Sequence, residues 1–171
     1  MEKSEMLLMV ECLGLTTEDL QDLVLDVASQ NATHINNGGI DEQMEFMLGE
    51  KCGVKANPVA VTEAAEIVKV LGTEAHDLDE EVHDRWHNIA SAFNNEGIDG
   101  QLDFLMSECT EDSLRVQLRE LAKGPVTQYH CTYQPFEITT TVEAVEGVDP
   151  EKVKAKAKAQ LLRKDIDVAF K

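Results

Sequence analysis

The chain has 171 residues, with 33 acidic against 15 basic side chains and a net charge of -18. That length allows one ordinary domain or two small ones, and 43% hydrophobic residues at a mean hydropathy of -0.26 can build a core, which excludes wholesale disorder. A field of this sign repels nucleic acid and acidic membrane surfaces, so no direct nucleic-acid or membrane binding is expected, and no apolar run approaches spanning length.

The first residues, MEKSEMLLMVECLG, lack a basic leader and a long apolar stretch, so export is not expected. Cys12, Cys52, Cys109 and Cys131 have no C-x-x-C spacing and read as reduced thiols of a cytoplasmic protein. Residues 5–13 predict a short helix stopped by Gly14. Thr16 and Thr17 offer the N-cap of a long second helix, with Glu18 and Asp19 in its first turn, where acids suit the helix dipole. Leu20, Leu23, Val24, Val27, Asn31 and Ile35 then recur along one helical face. Asn36, Asn37, Gly38 and Gly39 end that helix, and a third follows with Ile40, Met44, Met47 and Leu48 as its buried side.

Residues 49–61, with Gly53 and Pro58, predict a linker, and Thr62 the cap of the next helix. From there the pattern returns. NNGGIDEQMEF at 36–46 is answered by NNEGIDGQLDF at 94–104, and the ungapped register that lays Asn36 on Asn94 extends both ways. It pairs Glu5 with Glu63, Val10 with Val68, Leu13 with Leu71, Gly14 with Gly72, Asp19 with Asp77 and Glu50 with Glu108. Roughly a third of the positions are identical over about 50 residues, the mark of an internal repeat. Residues 5–52 and 63–110 therefore read as two copies of one unit.

Residues 112–122 predict a bridging helix, with Leu114, Leu118 and Leu121 spaced for burial, and Gly124 and Pro125 close the helical part. Residues 128–133 and 137–145 are rich in Thr, Val, Tyr and Ile and predict two strands joined by a loop at Pro135. Asp149, Pro150 and Glu151 start a helix expected to run through Leu162, and the closing DIDVAF reads as a candidate last strand. The expected fold is mainly α: a helical domain over residues 1–124 made of the tandem duplicated three-helix unit and its bridging helix, then a small α+β unit over 125–171, ββα or ββαβ.

No nucleotide loop, nucleophile elbow or Cys-His catalytic pair is present, so no enzyme and no cofactor is expected. The GID turns fail as calcium loops, because Met44 and Leu102 stand where a bidentate Glu is needed. Instead, Asn36, Asn37, Gly39 and Gln43, matched by Asn94, Asn95, Gly97 and Gln101, read as a structural turn whose Gln amides satisfy backbone groups left open by the loop. His83 and His87 are one turn apart in HDRWH, which resembles a zinc helix with Asp84 in the Glu place; they are the alternative, a metal-binding regulator or enzyme. The first copy has Leu25 and Ser29 there, so the pair is not part of the repeat.

The acid pattern says more. Asp19, Asp22 and Asp26 recur at i, i+3 and i+7, and Asp77, Glu80 and Asp84 occupy the same places in the second copy. Asp41 and Glu45 return as Asp99 and Asp103. These ten carboxylates are the expected partner-binding residues, for a basic protein surface such as that of a nucleic-acid-binding protein. By analogy with small acidic inhibitors from viruses and mobile elements, such a surface imitates nucleic acid. Lys152, Lys154, Lys156, Lys158, Arg163 and Lys164 scatter over several faces of the last helix and form no phosphate-tracking stripe. A structural subunit that self-assembles through the tail is the third reading.

Overall fold

The computed structural model describes residues 2–49, 57–133 and 138–169. Cys52, most of the expected linker, Pro135, Glu137 and Phe170 lie outside them. The described chain is mainly helical, with a small two-stranded antiparallel sheet near its C-terminal end and a final helix. In order the elements are α1 (Lys3–Cys12), α2 (Thr17–Asn37), α3 (Ile40–Leu48), α4 (Pro58–Val70), a 3-10 turn (Ala75–Leu78), α5 (Asp79–Asn94), α6 (Gly97–Glu108), α7 (Glu111–Glu120), β1 (Val126–Tyr133), β2 (Ile138–Val145) and α8 (Pro150–Ala169).

Two sequence expectations are corrected. Helix α4 starts at Pro58, not after Thr62, because Asn57 Oδ1 accepts the Val59 N–H at 3.0 Å and Pro58 supplies a preset φ in the first turn. Thr62 sits inside the helix, its hydroxyl donating to Pro58 O at 3.0 Å. The stretch DIDVA is no strand: α8 continues through it to Ala169, since no Gly or Pro interrupts the Leu-, Lys- and Ala-rich run before it.

The described chain divides into two compact units, residues 1–22 with 96–171, and residues 23–95. In the first unit α1 packs on α6 and lies against β2 and α8, while α8 covers the sheet. Cys12 of α1, Val142 and Ala144 of β2, and Val153 and Ala157 of α8 form one apolar cluster, with Tyr129, Cys131 and Val148 packed against it. The hairpin pairs Val126 with Val145 through to Tyr133 with Ile138, so the alternation Thr140, Val142, Ala144 faces inward. Met6, Met9, Val10, Leu13, Leu102, Phe104, Leu105, Leu114 and Leu118 complete the unit's core.

Basic side chains tie this unit together. Arg115 of α7 donates to Glu5 of α1 at 2.7 Å and to Glu111 at 2.8 Å. Lys123 pairs with Asp19, and its N–H reaches Leu13 O at 3.5 Å. The end of α1 is closed by Gly14 at φ +68, with Leu15 N–H donating back to Val10 O at 3.1 Å. A side chain there would be strained, and its Cβ would meet Val145 of β2 at 3.4 Å.

In the second unit α3 packs on α4 and on the 3-10 turn and α5. Arg85 of α5 donates to Met47 O and, at 2.9 Å, to Gly49 O, carbonyls that the end of α3 leaves open. Its guanidinium lies 5.3 Å from the centre of the Phe46 ring, which stacks on Trp86 at 5.2 Å and 7°. Helix α4 closes as α1 does: Gly72 has φ +77, and Thr73 N–H donates to Val68 O at 3.2 Å.

Candidate functional site

The turn residues lie where backbone groups need partners. Gln43 is fully buried, and its Nε2 donates to Ala75 O at 2.9 Å, Asn36 Oδ1 at 3.0 Å and Asp79 Oδ1 at 3.1 Å. Asn36 Nδ2 donates to Asp79 O at 3.2 Å. Gln101 is equally buried, and its Nε2 donates to Thr17 O at 2.9 Å. Ala75 and Thr17 are themselves partners in the Asn36–Asn94 register. Gly39 and Gly97 take φ +85 and +73 beside these glutamines, while Asn37 and Asn95 are exposed.

The ten carboxylates separate into kinds. Asp19 Oδ2 accepts both the N–H and the hydroxyl of Thr16 at 2.8 Å, and Asp77 Oδ2 accepts the Glu74 N–H at 2.8 Å. Both are helix-start caps. Burial works against the Asp19 charge, but the bonds from Lys123 and Thr16 prevail and hold its carboxyl below the usual range. Lys3 pairs with Asp103 at 2.8 Å and Asp99 at 3.5 Å, and Lys69 pairs with Asp41 at 3.5 Å. These are open surface pairs of small energetic weight. Asp22 and Asp26 on α2, Glu45 on α3, and Glu80 and Asp84 on α5 are exposed to solvent.

The histidines do not assemble further. His83 is half-buried and His87 exposed, and among the described residues no three His, Cys, Asp or Glu side chains converge to hold a metal ion. His76 sits at 3.3 Å from each of its near neighbours Glu74 and Asp77 on the surface.

Two features escaped the sequence reading. One is Lys156, which is 4% exposed and donates to Glu143 O at 3.3 Å. Burial holds its ammonium below the ordinary lysine range, with Cys12 and Glu143 acting in the other direction; burial likewise pushes the Cys12 thiol up. Folding thus disfavours protonated Lys156. The cost is full below its folded-state pKa and lifts as pH rises toward the unfolded value near ~10.4. Lys156→Met is expected to stabilise the chain by about 1 kcal/mol at neutral pH and to flatten the gain in stability on alkaline titration, read by urea melts at several pH values. A less stable variant would contradict this.

The other is the outer face of α4, where Ile67, Val70 and Leu71 are 60%, 87% and 75% exposed. In the Asn36–Asn94 register these positions align with Met9, Cys12 and Leu13 of α1, which are 2%, 0% and 0% exposed. No protein-family model, curated protein or solved structure matches this chain, so the readings below stand on its own residues.

Proposed function

We propose that the chain is a non-enzymatic interaction protein of the cytoplasm, built from a duplicated three-helix unit whose acidic surface docks on a basic site of a macromolecular partner. A nucleic-acid-binding protein, blocked by a surface that imitates a phosphate track, is the kind of partner that fits. The observation that carries the reading is the set Asp22, Asp26, Glu80 and Asp84. These residues are exposed at matched positions, whereas the neighbouring Asp19 and Asp77 serve as caps. Each pair sits at i, i+4, where like charges cost a helix about 0.2–0.5 kcal/mol. A surface retained at a cost to its own helices points to a use beyond folding.

The duplication is supported by bonds that recur in register. Gln43 to Ala75 O matches Gln101 to Thr17 O, Thr16–Asp19 matches Glu74–Asp77, and Leu15 to Val10 O matches Thr73 to Val68 O. In this reading the copies exchange elements: the third helix of each packs on the first helix of the other, as α6 on α1 and α3 on α4.

Changing Asp22, Asp26, Glu80 and Asp84 together to Lys is expected to abolish capture of a basic partner from host extract while leaving the circular dichroism spectrum unaltered. Capture by the unaltered chain should weaken steeply as salt rises from 0.1 to 0.5 M, since the Debye length at the lower value is already only about 10 Å. Salt-insensitive capture, or capture unaffected by charge reversal, would refute the reading.

A further inference from the structure

We propose that the outer face of α4 is a docking site for a basic protein segment: one with an aliphatic surface between two cationic side chains, seated as this chain's own C-terminal elements are seated on α1. The proposal rests on the duplication argued above, and it concerns a face that carries none of the four carboxylates named there.

The first copy shows what such a face receives. Glu5 and Met9 lie one turn apart on α1, and Arg115 contacts both, at 2.7 Å to the carboxylate and 3.9 Å to the sulfur. Cys12 is enclosed with Val142, Ala144, Val153 and Ala157. Beyond the helix end, Lys123 grips Asp19 and reaches Leu13 O. The cover is therefore small aliphatic side chains flanked by two cations.

The second copy keeps both carboxylates and the apolar positions between them, without the sulfur of Met9. Glu63, Ile67, Val70, Leu71 and Asp77 stand where Glu5, Met9, Cys12, Leu13 and Asp19 stand. Ile67, Val70 and Leu71 share one helical face by their i, i+3, i+4 spacing, and Val59, 63% exposed, extends the stripe through Glu63. The Asp19 side chain is 13% exposed beneath Lys123, while that of Asp77 is 49% exposed. Glu63 is exposed, whereas the Glu5 side chain is 12% exposed under Arg115. Apolar side chains this open cluster on surfaces that meet another molecule. A second copy of this chain is a poor occupant, because two such faces would bring Glu63 and Asp77 against their own kind on chains of net charge -18. Charge complementarity calls for a basic partner.

The test uses the intact chain and a synthetic amphipathic peptide, with leucines at i, i+3, i+4 and i+7 between an arginine at each end, followed by fluorescence anisotropy. Saturable binding is expected, weakened at least tenfold by Ile67→Asp with Leu71→Asp, weakened severalfold by Glu63→Lys, and lost when the peptide's arginines are replaced by glutamates. Both apolar positions are open, and Glu63→Lys keeps the test independent of them. The proposal is overturned if the peptide does not saturate, or if the α4 substitutions leave its affinity unchanged. It is also overturned if sedimentation shows the chain alone forming a dimer that Ile67→Asp dissolves, which would make a second copy the occupant. The carboxylate reading fails separately, through reversal of Asp22, Asp26, Glu80 and Asp84 in the capture experiment.

Discussion

Phe104→Ala is expected to remove about 3–5 kcal/mol of stability, the usual toll of emptying an aromatic site in a closed core. Phe104 is 1% exposed and is the largest of the fully buried side chains among the described residues. It lies on α6, the helix that packs on α1, between the buried Leu102 and Leu105 positions. The buried Gln101, bonded to Thr17 O, anchors the first part of α6, so the helix cannot collapse freely into the void and the cavity term adds to the lost transfer energy. The matched Phe46 gives the control. It is half-buried, with one face on Trp86 and Arg85 nearby, so Phe46→Ala should cost clearly less. Urea melts followed by circular dichroism read both. A loss below about 1 kcal/mol for Phe104→Ala would mean that α6 is not packed as described.

Gln43→Leu should cost about 2–3 kcal/mol although it swaps one buried side chain for another of similar size. The reason is the acceptors left behind. Ala75 O, Asn36 Oδ1 and Asp79 Oδ1 share the two N–H groups of the same Nε2, and a leucine supplies no donor. Gln101→Leu deprives Thr17 O in the same way, so both variants should lose stability. Gln43→Glu sharpens the test. A charged carboxylate beside Asp79 is worse than leucine at neutral pH, but once protonated it can donate. Its stability should therefore recover as pH falls, until the other carboxylates begin to titrate. A Gln43→Glu chain that shows no such recovery would argue that the amide's donation is unimportant.

Much of this was readable in the chain itself. Asn and Gly marked the turns because few other residues accept the backbone there, and helical spacing named the inward side of α2; on α3 it was right for Met44 but not for Leu48, which is 46% exposed at the helix end. The glutamines were expected to serve their own loops, but their carbonyl partners, Ala75 O and Thr17 O, belong to segments far along the chain, which spacing does not show. What periodicity does not say is which surface covers which. Met9 and Ile67 look alike in sequence, yet one is enclosed and the other open, because α1 has α8 and β2 against it, while the 60%-exposed Ile67 stands on an open face of α4. The same blindness merged Asp19 with Asp22: one caps a helix, the other faces solvent, and three residues of spacing do not tell them apart. Lys156 was hidden among alternating lysines because its burial comes from contact with β2, not from any neighbour in sequence. The Asn57–Pro58 start was missed because Thr62 offered a plausible cap of its own.

The arrangement around α1 bears on how the protein is made. Its buried face is completed by α6, β2 and α8, which emerge from the ribosome long after it does. At 5–20 residues per second the wait is on the order of ten seconds, with Met6, Met9, Val10 and Leu13 uncovered throughout. A helix that stays greasy that long is natural cargo for chaperones that meet nascent chains. In a cell short of them, the newly made polypeptide should clump before it folds.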